Sequence, residues 1–305
     1  MTIFTNALKT AALLGLMMGL CLGIGWAFGS TQGMLIGFVL GSAMSLVSYF
    51  FSDKFALMSV HAQPVSREQA PELYDLTERL AQRAGIPMPR LYFSPEQAPN
   101  AFATGRNPNN GVVCVTAGIM NMLNEQELEG VLAHEISHIK HRDILISTIA
   151  AIMAGAISQI AWIMMWTGGG GRNRDGGGEN PLGMIGALLM IILAPLAAML
   201  IQLAISRSRE YAADARGAQL AGTPNGLISA LRKLDLANRR IPMNVNPAER
   251  HMFIVMPLTH GGGLSDLFRT HPNTENRITK LLETYNALQP IGVPAADRRH
   301  SQQSV

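Results

Sequence analysis

Four apolar stretches divide this chain, at 11–28, 34–51, 144–166 and 182–205, and they limit what the rest of it can become. A helical bilayer crossing needs roughly 20 such residues, so each qualifies as a span. The first differs from a cleavable leader. Only Lys9 precedes it, no Ala-x-Ala site follows, and a second apolar run begins almost at once. A retained hairpin over 1–52 is the better reading. Gly15, Gly19 and Gly23 in its first limb, and Gly33, Gly37 and Gly41 in its second, recur every four residues. Such small-residue stripes let helices approach closely in lipid, so the two limbs are expected to pack on each other.

The third and fourth spans carry only the mild polar interruptions Ser147, Ser158, Gln159 and Gln202. Their connection, 167–180, is glycine-rich and holds Arg172, Arg174, Asp175 and Glu179, a loop composition. A second hairpin over 144–205 is preferred to a buried or interfacial helix pair. Two polar segments remain, 53–143 and 206–305, too long for loops and too regularly patterned for disorder. In the first, 67–84 has helical spacing and stops at Gly85 and Pro87. A short strand is expected at 90–93, and 100–104 with 112–116 flank a turn rich in Asn, Pro and Gly, a hairpin signal. The second segment reads as mainly helical over 206–240, loop-rich next, then helical over 273–287, with a mobile tail after 289.

Composition excludes some partners. Charged residues make up 15% of the chain and the net charge is +3, with no dense Lys/Arg run, so nothing marks a nucleic-acid surface. Cys21 lies in an apolar run and Cys114 in an expected strand, which argues against a disulfide and for a reducing compartment.

The chemistry concentrates in 134–138, a His-Glu-x-x-His pattern. On a helix, His134 and His138 share a face and can converge on one ion, while Glu135 stands beside the ion's open position, placed to accept a proton from water. The helix is well specified: Asn124 with Glu127 forms a capping box, Leu123 and Leu128 a hydrophobic staple, acids crowd its start, and Lys140, His141 and Arg142 its end. At this chain's own His and Glu frequencies the pattern arises by chance in roughly one chain in a hundred. A catalytic ion needs a third protein ligand. Candidates are His141, Glu210, Asp214, His251, His260 and His271. Glu210 is the best placed, just beyond the fourth span, with Asp214 one turn on, where it can orient a ligand histidine.

These residues resemble the M48 family of zinc metallopeptidases, and specifically its HtpX-type bacterial membrane proteases, relatives of the CAAX-processing Ste24 enzymes. The likeness rests on 100–105 (Asn-Ala-Phe-Ala-Thr-Gly), 134–138, 206–214 (Ser-Arg-Ser-Arg-Glu-Tyr-Ala-Ala-Asp) and 270–272 (Thr-His-Pro) followed by Arg277 and Ile278, with the apolar spans falling where that type has them. It implies one Zn2+ per subunit held by His134, His138 and Glu210, Glu135 as general base, and Asp214 behind a ligand. It also implies a role for His271 near the oxyanion. The strand Asn100, Ala101, Phe102 and Ala103 would pair with extended substrate by strand addition. The fold expected is a predominantly helical α+β integral membrane protein, with two transmembrane hairpins and a gluzincin-like zinc peptidase domain built from 53–143 and 206–305.

If His138 and Glu210 bind one ion, an even number of crossings separates them. Lys9, Lys54, Lys140, Arg142, Arg207 and Arg209 border the spans on the side of the site, against Arg172 and Arg174 beyond. By the positive-inside rule the catalytic part faces the cytoplasm, and the resemblance implies an inner membrane. The resemblance implies misfolded membrane proteins and unfolded polypeptides as substrates, with the bilayer and other quality-control proteases as partners. Three alternatives stay open: CAAX-type processing, a zinc transporter and a non-catalytic membrane scaffold. Against the transporter, the charges flanking 134–138 are prohibitive in a bilayer.

Overall fold

The computed structural model describes residues 2–143, 145, 146, 149, 207–240 and 272–285. All of the third apolar span but 145, 146 and 149, the fourth span, the glycine-rich loop, His251, His260, His271 and the tail fall outside these.

Helix α1 (Thr2–Ser59) folds back on itself at Ser30, where φ is 51°. Its two limbs, Phe4–Gly23 and Ser30–Ser59, are long and apolar enough to cross a membrane. Their outward residues, among them Phe4, Leu35, Ile36, Phe38 and Leu40, are apolar and exposed, the reverse of a soluble helix. The glycine stripes behave differently from one another. A side chain at Gly37 would overlap the Cys21 carbonyl, and one at Gly41 would press on Cys21 and the Met18 sulfur, so the second stripe is the packing face. Gly15, Gly19 and Gly23 meet no atom within 4 Å among the described residues. The two limbs thus pack on each other as expected, with the second stripe and not the first supplying the close approach. In the first limb Asn6, Thr10, Leu13 and Met17, spaced as one helical face, are the buried residues instead.

The end of α1 sits under a four-stranded sheet. Ala56, Leu57 and Val60 pack with Phe102, Val112 and Cys114. Ser94 donates to the Val60 carbonyl at 2.6 Å. Strand β1 (Gln63–Pro64) leads to α2 (Pro71–Ala84), then β2 (Arg90–Ser94), β3 (Ala101–Thr104) and β4 (Val112–Thr116). The order is β1-β2-β4-β3, with β2 parallel to β4 and the other pairs antiparallel. The expected 100–116 hairpin is present, with Ala101 opposite Val115 and Thr104 opposite Val112. β1 and the parallel pair had no local signal. α2 starts later than expected because Pro71 suits a first turn, while the residue before a proline is disfavoured in helix. It stops at Gly85, whose φ of 67° suits glycine. Cys21 and Cys114 are both free.

After the short α3 (Ala117–Met122) comes α4 (Glu125–His141), the central element. The capping box is formed: Asn124 accepts from the Glu127 N–H, and Glu127 accepts from the Asn124 N–H, both at 2.9 Å. The Glu127 carboxylate also accepts from Ser229 at 2.6 Å and Lys233 at 2.7 Å, joining the start of α4 to a helix a hundred residues later. Helix α5 (Arg207–Ala221) ends before Gly222, whose φ of 84° breaks the run expected over 206–240. α6 (Asn225–Arg240) and α7 (Thr274–Tyr285) complete the described fold. Leu73, Leu76 and Leu80 of α2, Val131, Leu132 and Ile136 of α4, Leu227, Leu231 and Leu234 of α6, and Ile278 and Leu281 of α7 share one core with Val113 and Val115. Truncating any one of these leucines to alanine costs about 2–5 kcal/mol.

Candidate metal centre

Helix periodicity places Gly130, His134 and His138 along one face of α4, and Glu210, Asp214 and Gly217 along one face of α5. The two faces meet at Gly217. A Cβ there would come within 2.9 Å of the His134 backbone nitrogen, so only glycine lets the helices approach this closely. The result is a cluster. His134 Nε2 and His138 Nε2 are 3.2 Å apart. Glu210 Oε2 lies 3.8 Å from the first and Glu210 Oε1 lies 3.6 Å from the second. These atoms all lie within 4.8 Å of one another, and among the described residues this is the group able to hold a metal ion. A tetrahedral ion with metal–nitrogen bonds of about 2.0–2.1 Å requires its nitrogen ligands about 3.3 Å apart. Two imidazole nitrogens at 3.2 Å, with a carboxylate near both, fit that requirement.

Each histidine is backed by a carboxylate on its other nitrogen. His134 Nδ1 is 2.9 Å from Asp214 Oδ1. His138 Nδ1 is 3.4 Å from Asp143 Oδ2. Asp214 is fully buried and is itself clamped by Arg277, whose Nε donates to Oδ2 at 2.9 Å and whose Nη2 donates to Oδ1 at 2.6 Å. Burial opposes the charge on Asp214, but Arg277 and His134 outweigh it and hold the carboxyl below its usual range. For His138, burial also works against the charged form, yet Asp143, Glu210 and Glu135 raise its pKa to about 9.

Glu135 points elsewhere, as its position on α4 requires. It is buried, and its Oε2 accepts the Ala103 N–H of β3 at 2.8 Å. Burial pushes this carboxyl above the ordinary range, and Glu210 adds to the effect against His134, His138 and the Ala103 N–H. In an antiparallel strand the N–H and C=O of one residue face the same side, and the side alternates. Ala101 and Ala103 thus turn their main-chain groups away from β4 and towards α4. Phe102 enters the small core under the sheet, and Asn100, just before β3, accepts the Thr116 N–H at 3.0 Å and donates to Thr116 Oγ1 at 2.9 Å. Of the other candidate ligands, His141 contacts the Ser137 carbonyl at 2.8 Å outside the cluster, and Asp214 stands behind it. His251, His260 and His271 lie outside the described residues.

The family model described as Peptidase family M48 matches residues 67–285, well over half of the chain and the whole of this site. The chain belongs to peptidase family M48. Relatives called Protease HtpX homolog are 52% identical in Pelotomaculum thermopropionicum, covering 90% of this chain and 98% of the relative, and 49% identical in Desulfatibacillum aliphaticivorans, covering 96% and 94%. One from Thermococcus sibiricus is 50% identical, covering 90% and 94%. The fold is similar to the crystal structure of S. mikatae Ste24p, with a TM-score of 0.50, 21% identity, 92% of this chain covered and 66% of that one. This chain thus spans about two-thirds of the length of Ste24p.

This M48 peptidase is an HtpX-type metalloprotease and a membrane protein, predominantly helical with a small sheet. Reasoning from sequence missed three of its supporting residues. Arg277 was noticed only as part of a motif, Asp143 only as the end of a segment, and Gly217 not at all. Arg277 and Gly217 do their work against residues more than sixty positions away. For Gly217 the signal was present: it lies seven residues, two helical turns, after Glu210.

Proposed function

We propose that this M48 peptidase is a zinc-dependent endopeptidase that hydrolyses exposed segments of misfolded or damaged membrane proteins on the cytoplasmic side of the inner membrane. The observation that carries the reading is the convergence of His134, His138 and Glu210 beside a buried Glu135 and the edge of β3. His134, His138 and Glu210 would hold one Zn2+, which when bound supplies Lewis-acid polarisation of the scissile carbonyl and lowers the pKa of water.

The chain's own residues do the rest. Asp214 and Asp143 keep the Nδ1 proton on each histidine, which leaves Nε2 as the ligand atom. Glu135 takes the proton of the attacking water and delivers it to the leaving amine, a double duty suited to a carboxyl whose pKa is raised by burial. The main-chain groups of Ala101 and the Ala103 carbonyl bind substrate as an added strand, the Ala103 N–H being held by Glu135, so backbone hydrogen bonds carry affinity and side chains are selected weakly. His271 is proposed to assist near the oxyanion. The small residues and exposed apolar face of α1 keep the site beside the bilayer, where membrane-protein clients are found. The basic residues bordering the spans support the cytoplasmic placement.

The test combines composition and topology. Purified Glu210→Ala is expected to lose most of the zinc bound by the parent chain, and reporter fusions in 167–180 should lie on the far side of the membrane from fusions in 53–143. Equal zinc in the variant would remove Glu210 from the ligand set, and fusions on one side would refute the two-hairpin topology.

A further inference from the structure

The two histidines of the centre are backed from different parts of the molecule. Asp214, behind His134, belongs to α5 and is fixed by Arg277. Asp143, behind His138, lies just past the end of α4, where Arg142 adopts φ 57° and turns the chain back. Asp143 is held by a hydrogen bond from Asn6, in the first limb of α1, and the nearby Arg209 charge also attracts it. Asn6 Nδ2 donates to Asp143 Oδ1 at 2.7 Å and to the His141 carbonyl at 3.0 Å.

An asparagine amide has two N–H donors, and both have a use here. One occupies Asp143 Oδ1, which leaves Oδ2 directed at His138 Nδ1, 3.4 Å away. The other satisfies a carbonyl of the last turn of α4, which has no partner within its own helix. Asn6 and Asp143 are both buried, at 4% and 6% exposure, so water does not replace either contact cheaply. The seat is extended along the helix: Thr10 donates back to the Asn6 carbonyl at 3.0 Å, and Leu13 and Met17 continue the buried face.

We propose that Asp143 is a positioning residue of the metal centre, and that Asn6 acts through Asp143 to make metal affinity depend on the seating of the first membrane helix. This rests on the reading of His134, His138 and Glu210 as the ligands. The membrane anchor is then a part of the site's scaffold. Tilting or withdrawing it frees Asp143 to turn away, and His138 loses the partner that holds its ring and its tautomer.

The test uses the full chain purified in detergent, with Zn2+ affinity measured by competition against a chromogenic chelator and the Co2+ absorption spectrum as a record of ligand geometry. Asp143→Ala is expected to weaken Zn2+ binding 10- to 100-fold, a typical loss for a residue hydrogen-bonded to a ligand histidine. Asp143→Asn, which keeps one acceptor, falls between it and the parent. Asn6→Ala weakens binding about tenfold alone and adds nothing to Asp143→Ala, since it acts through that residue. Asn124→Ala, which loosens α4 at its other end, lowers the melting temperature and leaves affinity and the Co2+ spectrum unchanged. If Asp143→Ala does not fold, Asp143→Asn and Asn6→Ala carry the test. Affinities within about twofold of the parent, an equal loss in Asn124→Ala, or additive losses in the double variant overturn the proposal. His138→Ala separates the two readings: if it binds Zn2+ as the parent does, the ligand assignment itself has failed.

Discussion

Asp214 accepts from Arg277 through both carboxylate oxygens while one of them faces His134, and no part of this arrangement reaches solvent. Removing one member of a buried charge pair strands the other, at a cost of about 3–5 kcal/mol. Arg277→Ala is therefore expected to destabilise the protein by about that amount, measured by chemical denaturation. Arg277→Lys should recover only part of the loss, because a single ammonium cannot reproduce the two-pronged contact. The pair also has a pH signature. The folded pKa of Asp214 is depressed, so its stabilisation is complete above the unfolded value of about 4 and is lost as pH falls through the lower folded value. Acid unfolding should begin at a higher pH in Arg277→Ala than in the parent, and coincident acid transitions would contradict this. At this scale the sequence was partly legible. The spacing of His134, Glu135 and His138 encodes their convergence locally, whereas the Arg277 contact spans 63 residues and only tertiary structure creates it.

At the scale of elements, α4 was legible almost completely because its signals are local. Asn124 and Glu127 make the reciprocal cap, and Leu123 and Leu128 both enter the core. The strands were legible where a turn announced them, as in β3 and β4. β1 was not, since two residues carry no period, and the parallel alignment of β2 with β4 depends on a non-local register. The helix pair α4 and α5 depends on Gly217. Gly217→Ala places a methyl group 2.9 Å from the His134 backbone nitrogen, a contact that backbone cannot relieve by a rotamer change. The helices must part, at about 1–3 kcal/mol for such overpacking, and Glu210 moves away from both histidines. The expected result is a lower melting temperature together with weaker Zn2+ binding. Unchanged zinc affinity in a destabilised variant would show that the helix spacing does not set the site.

Across the whole molecule, the polar segments before and after the second apolar pair both pack against α4. α2 and β3 come from the first, α5 and α6 from the second. That meeting was anticipated from the chemistry, since two ligands from one segment needed a third from the other. The way the membrane hairpin joins this body was not anticipated. The second limb of α1 ends under the sheet, against Phe102 of the proposed substrate strand, and the first limb carries Asn6 to the end of α4. Hydropathy identifies a span but not which of its faces will be buried, which is why the Asn6, Thr10, Leu13 and Met17 face went unread and the first glycine stripe was assigned contacts it does not make. The central claim is that a buried Glu135 beside a three-ligand ion performs the hydrolysis, and it can be separated from metal binding by one substitution. In purified full-length Glu135→Gln the bound zinc should equal that of the parent, while the rate of zinc-dependent casein cleavage falls about 10²- to 10⁴-fold, the usual contribution of a general base. Casein cleavage at the parental rate by the zinc-loaded variant would contradict the account.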